Sequence, residues 1–140
     1  MSDLDTAIQF LKQGHSCVAV RGEAIFTSDQ SGIAPLLLWE KQGLNLQGFA
    51  VADRLIGRAS ALLLVNAGAK SAYTPTLSLS GQKVLEQYNI PVRFETLIEQ
   101  VLNMDRTDMC PMEKASMSIE DPKQAVKVLR ETISKLRETA

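Results

Sequence analysis

An α/β sandwich is the fold the sequence predicts, and three observations predict it. Two short strand-like runs joined by a tight turn stand near the start of the chain, at residues 15–20 and 24–27. Later strand-like runs, at 70–74 and 92–95, are separated by helical stretches. Between them lies the stretch FAVADRLIGRASALLLVNAG, residues 49–68, whose second half is apolar on every side apart from Ser60. A helix without a polar face belongs in an interior, and the rest of the chain is expected to be built around this one.

Each element has a local reason. Ser2 and Asp5 form a capping signature, and Leu4, Ala7, Ile8 and Leu11 make one helical stripe that Gly14 closes. The turn Arg21-Gly22-Glu23 joins the first two strands into a hairpin, and residues 28–32 form a polar loop. Residues 33–42 read as a short helix with Pro35 in its first turn, Gly43 at its end, and Leu36, Leu37 and Trp39 buried. Residues 44–48 lead into the central helix, which stops at Asn66-Ala67-Gly68. Thr74-Pro75-Thr76 is expected to break the third strand, and Ser78 or Ser80 to cap a helix running through Tyr88. Asn89 and Pro91 stop it before the fourth strand. Thr96-Leu97-Ile98-Glu99 reads as a capping box opening a helix with Val101 and Leu102. After the polar loop 103–109, Cys110-Pro111-Met112-Glu113 and Asp121-Pro122-Lys123-Gln124 each start a helix. In the last one Val126, Leu129, Ile133 and Leu136 form a narrow seam. It lies either on its own domain, the favoured reading, or against a second copy in a homodimer. Residues 1–120 are thus read as the domain and 121–140 as a C-terminal amphipathic helix. The helix-bearing crossovers from the second strand to the third, and from the third to the fourth, are expected to be right-handed with parallel pairing.

Composition narrows the function classes. A chain of 140 residues is one domain and can bury roughly two thirds of its unfolded surface without a staple. Lys and Arg total 15 against 16 Asp and Glu, so bulk nucleic acid and an anionic membrane are not expected partners. Cys17 and Cys110 make no disulfide framework. The acidic, amphipathic N-terminus is unlike a signal peptide, and the run 61–65 is too short to span a bilayer. A cytoplasmic protein with reduced thiols is the expectation.

Two constellations carry the candidate chemistry. The first is Asp53, Arg54, Gly57 and Arg58, placed by this reading in the first turns of the central helix. Arg54 and Arg58 would stand four apart on one face, tolerable if they meet an anion, either a ligand phosphate or an acidic group of the fold. Asp53 would cap the helix or bond a ligand, and Gly57 would admit a close approach of backbone or ligand. The plainer alternative is a solvated arginine pair and a simple cap. The second constellation is Cys110 to Glu113, where the thiol starts a helix and Glu113 could reach back to the Cys110 N–H. A helix dipole favours a thiolate and a neighbouring carboxylate opposes it. The plainer alternative is a small buried cysteine. His15, the chain's one histidine, is remote in sequence from Cys110. The His15-x-Cys17 pair is too small for a zinc site, and no serine, dinucleotide or P-loop motif is present.

The run Thr27-Ser28-Asp29, Gly32-Ile33-Ala34-Pro35-Leu36, Gly48-Phe49, Ala52-Asp53-Arg54, Gly57-Arg58-Ala59 and Cys110-Pro111-Met112-Glu113 resembles a bacterial family catalogued as domain of unknown function 1893. That family is similar in fold to cytidine deaminases. The resemblance implies a cytidine-deaminase-like, three-layer α/β/α sandwich around a mixed sheet, here of about four strands, with the C-terminal helix as an extension. Zinc deaminases carry H-x-E at the start of a helix and P-C-x-x-C further on. Ala52-Asp53-Arg54 and Thr74-Pro75-Thr76-Leu77-Ser78 hold those places here, so no metal and no cofactor are expected. The resemblance also implies that the two constellations meet in space.

Function is therefore read as unknown in detail. The leading expectation is a small-molecule binding protein, for a nucleotide or another phosphorylated metabolite, with Asp53, Arg54, Gly57 and Arg58 as ligand contacts. A cysteine-dependent enzyme or redox sensor using Cys110, Glu113 and Asp53, and a module dimerising through the C-terminal helix, are the alternatives.

Overall fold

Local capping works at the start of the chain as its sequence dictates. Ser2 Oγ accepts from the Asp5 N–H at 3.1 Å, and Asp5 Oδ2 accepts from the Ser2 N–H at 3.2 Å. In the computed structural model, which describes residues 1–139, helix α1 (Asp3–Lys12) leads into strands β1 (Cys17–Arg21) and β2 (Ala24–Ser28) and then α2 (Ala34–Lys41). Next come β3 (Ala50–Asp53), β4 (Leu55–Ile56), α3 (Arg58–Ala67), β5 (Ser71–Ser78) and α4 (Leu79–Gln87). The chain continues with β6 (Val92–Ile98), α5 (Pro111–Ser116), a 3-10 turn (Pro122–Gln124) and α6 (Ala125–Thr139). Ala140 of the expected C-terminal segment lies outside the described residues. No described helix is long and apolar enough to cross a membrane.

The sheet is mixed and has six strands among the described residues, not four. β1 pairs antiparallel with β2 and with β3. β3 and then β4 run parallel to β5 along one side, and β6 runs parallel to it on the other. The parallel pairing across the helix-bearing link from residues 70–74 to 92–95 is found. The pairing expected between the second and third predicted strands is not, because β1 and β3 stand between β2 and β5.

Three sequence expectations are corrected here. The central helix begins at Arg58 rather than at Phe49, because residues 50–53 form a strand buried on both faces. Such a strand reads as an unbroken apolar run and mimics an interior helix. Pro75 does not end the third strand; β5 continues to Ser78. The proline falls between the Tyr73 and Thr76 rungs of the ladder, where β3 hands over to β4 and no strand N–H is required. Thr74 Oγ1 accepts from the Thr76 N–H at 3.2 Å and carries the chain past the gap. Lastly, residues 96–98 extend β6 through pairs with Thr76, Leu77 and Ser78, so no helix starts there. Val101 and Leu102 instead belong to an irregular segment in which Leu102 bridges Met109.

Alternation along the strands divides the core in two. Val18, Val20 and Ala52 meet Ala7, Ile8 and Leu11 of α1 on one face. Cys17, Ala19 and Val51 point to the other, where α3 supplies Ala61, Leu62 and Leu64. There α2, α4, α5 and α6 surround α3. Ala125 and Leu129 of α6 are fully buried in this second cluster, with Val126 and Ile133 packed against it, while Leu136 is exposed. Arg130 Nη2 ties α6 to α2 through the Leu37 carbonyl at 3.0 Å and Glu40 Oε2 at 2.6 Å.

Helix α4 approaches α3 so closely that side chains are excluded. Ser78 Oγ accepts from the Gly81 N–H at 3.0 Å. A Cβ at Gly81 would lie 2.9 Å from the Gly57 carbonyl group and 3.0 Å from the Ile56 oxygen, all backbone atoms that cannot swing aside. Gly81→Ala is therefore expected to destabilise by about 2 kcal/mol, although alanine gains about 1 kcal/mol in helix propensity. Urea unfolding would show a lower midpoint; an unchanged or raised midpoint would contradict the close packing.

Candidate functional site

The parallel strands β3 and β4 end beside the start of α3, the end of a sheet where α/β domains place ligands. Gly57 is the N-cap of α3 and has no side chain to accept the first helical N–H groups. Glu113, from α5, does this instead. Its Oε1 accepts from the Arg58 N–H at 2.7 Å and its Oε2 from the Ala59 N–H at 2.8 Å. A negative group at a helix N-terminus is also favoured by the dipole. Glycine at 57 is required by this approach, since a Cβ there would sit 2.1 Å from Glu113 Oε1.

Arg58 returns the contact. Its Nε donates to the Ser116 carbonyl at 2.9 Å and its Nη2 to the Ile119 carbonyl at 2.6 Å, at the end of α5. The two helices thus hold each other by their termini. This corrects two expectations. Glu113 does not reach back to Cys110, whose N–H donates to the Val101 carbonyl at 2.9 Å. Arg54 and Arg58 do not share a helical face, because Arg54 stands between β3 and β4. Arg54 turns to the α1–β1 link, donating from Nε to the His15 carbonyl at 3.0 Å and from Nη2 to the Gly14 carbonyl at 2.9 Å.

Asp53 is different in kind. It ends β3, opposite Cys17, and is only 4% exposed. Its Oδ2 is buried and has no hydrogen-bond partner. Burial pushes its carboxyl up to about 8, against the smaller opposing pull of the Arg54 and Leu55 backbone N–H groups. At neutral pH Asp53 therefore carries a proton. Burial, with the adjacent Asp53 as a second cause, also pushes the Cys17 thiol up.

Asp53, Ser60 and Cys110 line a cavity of about 250 Å³ whose walls include Ile33, Val101 and Met112. Arg54, Gly57 and Glu113 also border it, so five of the six expected site residues come together. Arg58 is not among the lining residues, and neither is His15, which bonds Asp29 at 2.8 Å. Ser60 lies outside both constellations, and Met112 lies inside the second without a role assigned to it. Ser60 left a signal, as the one polar residue in the otherwise apolar stretch 59–65; Met112 left none beyond its neighbourhood to Cys110. No group of three or more His, Cys, Asp or Glu side chains among the described residues is placed to hold a metal ion.

Fold and site together define an α/β domain with a mixed six-stranded sheet and a small cavity containing a buried acid. The chain belongs to the DUF1893 family, described as a domain of unknown function, whose family model matches residues 6–133. The crystal structure of a DUF1893 family protein from Thermotoga maritima is similar to it with a TM-score of 0.81 and 29% sequence identity. That match covers 96% of this chain and 91% of the Thermotoga chain. No curated protein matches. The family description assigns no function.

Proposed function

We propose that this protein binds a small, nucleotide-like molecule in the Asp53 cavity, on a cytidine-deaminase-like scaffold and without zinc-dependent deamination. The observation that carries the reading is Asp53 Oδ2. An unpaired buried polar atom costs about 1–3 kcal/mol, such atoms are rare in native interiors, and a bound ligand is one way the cost is offset. Here the atom belongs to a residue lining a cavity of about 250 Å³, just under the usual range of ligand pockets and enough for one small ring. The mixed sheet with helices on both faces supports the deaminase-like reading of the scaffold. In the resemblance, Asp53 stands at the place of the missing H-x-E motif, so the cavity occupies ground that a zinc site would need.

The geometry shifts which part of a nucleotide-like ligand is recognised. The N-terminus of α3 and the Arg58 guanidinium are already engaged by protein groups, which removes two grounds for a phosphate subsite. What remains is a compact, mostly apolar chamber suited to a ring, with Arg54 exposed at its border.

Occupancy can be read at Cys110, which is only partly buried, whereas Cys17 is fully buried. A compound from a panel of nucleobases, nucleosides, nucleotides and their amine- or amidine-bearing ring analogues is expected to raise the melting temperature by several degrees at a hundred times its dissociation constant. The same compound should slow alkylation of Cys110 by N-ethylmaleimide. Both effects should vanish in Asp53→Asn. A panel in which nothing stabilises the protein or protects Cys110 would remove the proposal.

A further inference from the structure

We infer that the cavity selects a ligand with a protonated basic nitrogen, an amidinium or a primary ammonium, and that Asp53 forms an ion pair with it through Oδ2. This rests on the reading above that the cavity binds a small ring molecule, and puts a ring bearing a cationic group in place of a nucleobase, which is neutral at pH 7.

The groups facing Asp53 lead to that class. From β1 comes the Cys17 thiol, buried and held protonated. From α5 and its N-cap come Glu113 and Cys110. Both Glu113 oxygens already accept backbone N–H groups of α3. The neighbouring Arg54 guanidinium is drawn to the Gly14 and His15 carbonyls, and Arg58 is drawn to the end of α5. The cavity is thus bordered by two carboxyl groups, a thiol and, at its exposed rim, the Arg54 side chain, whose guanidinium is turned to the Gly14 and His15 carbonyls, and no ion pair joins Asp53 to a cation of the described residues. An anionic ligand group placed against Oδ2 would meet like charge whenever Asp53 ionises. A neutral ligand would leave Asp53 protonated and give no return on ionisation. A cation does both: it stabilises the carboxylate and gives Oδ2 the partner it lacks among the described residues. The volume of about 250 Å³ admits a single ring bearing such a group.

The proton balance is simple. The ligand enters as a cation, the O–H bond of the Asp53 carboxyl breaks as its proton passes to the buffer base, and no other covalent bond forms or breaks. Affinity should therefore rise with pH across the range in which free Asp53 is still protonated, by up to tenfold per pH unit.

The test is calorimetric titration of the full chain with benzamidine and acetamidine at pH 7, each in two buffers of different ionisation enthalpy. Benzamide serves as the neutral analogue of the same shape. The expected result is release of about one proton per amidine bound, and benzamidine binding at least tenfold more tightly than benzamide. Asp53→Asn, checked for folding by circular dichroism, should remove both the proton release and the preference. If benzamide equals benzamidine, if neither amidine binds, or if binding releases no proton, the inference fails. In those cases the Cys110 protection panel decides separately whether the cavity takes a ligand at all. Protection by a neutral nucleobase would leave the small-molecule reading standing without this class, and protection by nothing would end both.

Discussion

Glu113→Ala is expected to lower the melting temperature by about 10 °C, the largest loss of stability of any single side-chain truncation at this site. The reason is the asymmetry between making a hydrogen bond and leaving one unmade. Glu113 accepts two N–H groups at the start of α3, at 2.7 and 2.8 Å, in a buried setting. Gly57 offers no substitute, having no side chain. Removing the carboxylate strands both donors, at about 1–3 kcal/mol each, and opens space beside the cavity. A total of about 3 kcal/mol corresponds to about 10 °C in a domain of this size. Glu113→Gln keeps one acceptor and should lose roughly half as much. Arg58→Ala acts on the other half of the same clamp, so the double variant should be less destabilised than the two single losses added together. A loss below about 1 kcal/mol for Glu113→Ala would show that the cap is not what holds α3 in place.

That clamp also shows where reading a sequence stops. The helix start at Cys110-Pro111, the Ser78 cap, the opening hairpin and the stop at Gly68 were legible because each is set by neighbours a few residues apart. The cap on α3 was not, because its donor and acceptor are 55 residues apart in the chain. A charged residue near a helix start advertises an anion site, yet nothing local says that the anion is supplied by the protein. Residues 50–53 were misread for a related reason: an unbroken apolar run is compatible with a helix or a doubly covered strand, and only the partners β1 and β5 decide between them. The gathering of Asp53, Gly57, Cys110 and Glu113 around one cavity was implied by a family resemblance rather than by any local pattern. The state of Asp53 was visible from neither, since it follows from the sheet and helices that close over it.

Asp53→Asn is expected to change how stability depends on pH, and by more than any surface substitution could. In the folded protein the carboxyl is raised from 3.8 to about 8 by burial. Between those values the unfolded chain has lost the proton and the folded chain keeps it, so raising the pH favours unfolding. Sign and window follow directly: this group costs nothing below about pH 4, destabilises progressively as the pH rises, and reaches its full cost above about pH 8. The slope from one proton is at most about 1.4 kcal/mol per pH unit, and about four units set an upper bound of about 6 kcal/mol. Asparagine matches the shape and cannot ionise. The variant should therefore be similar to wild type at about pH 4 and more stable than it at pH 8.5, with urea midpoints measured at both. Exposed carboxyls such as Asp5 and Asp108 are held below the ordinary range by Ser2, Lys114 and other neighbours and contribute the opposite trend at low pH, but they cancel in the difference between wild type and variant. Equal stability of the two proteins at both pH values would show that Asp53 is already ionised and matched. A protein more stable without its own buried acid would instead retain that acid at a cost, which the ligand proposed for Oδ2 would account for.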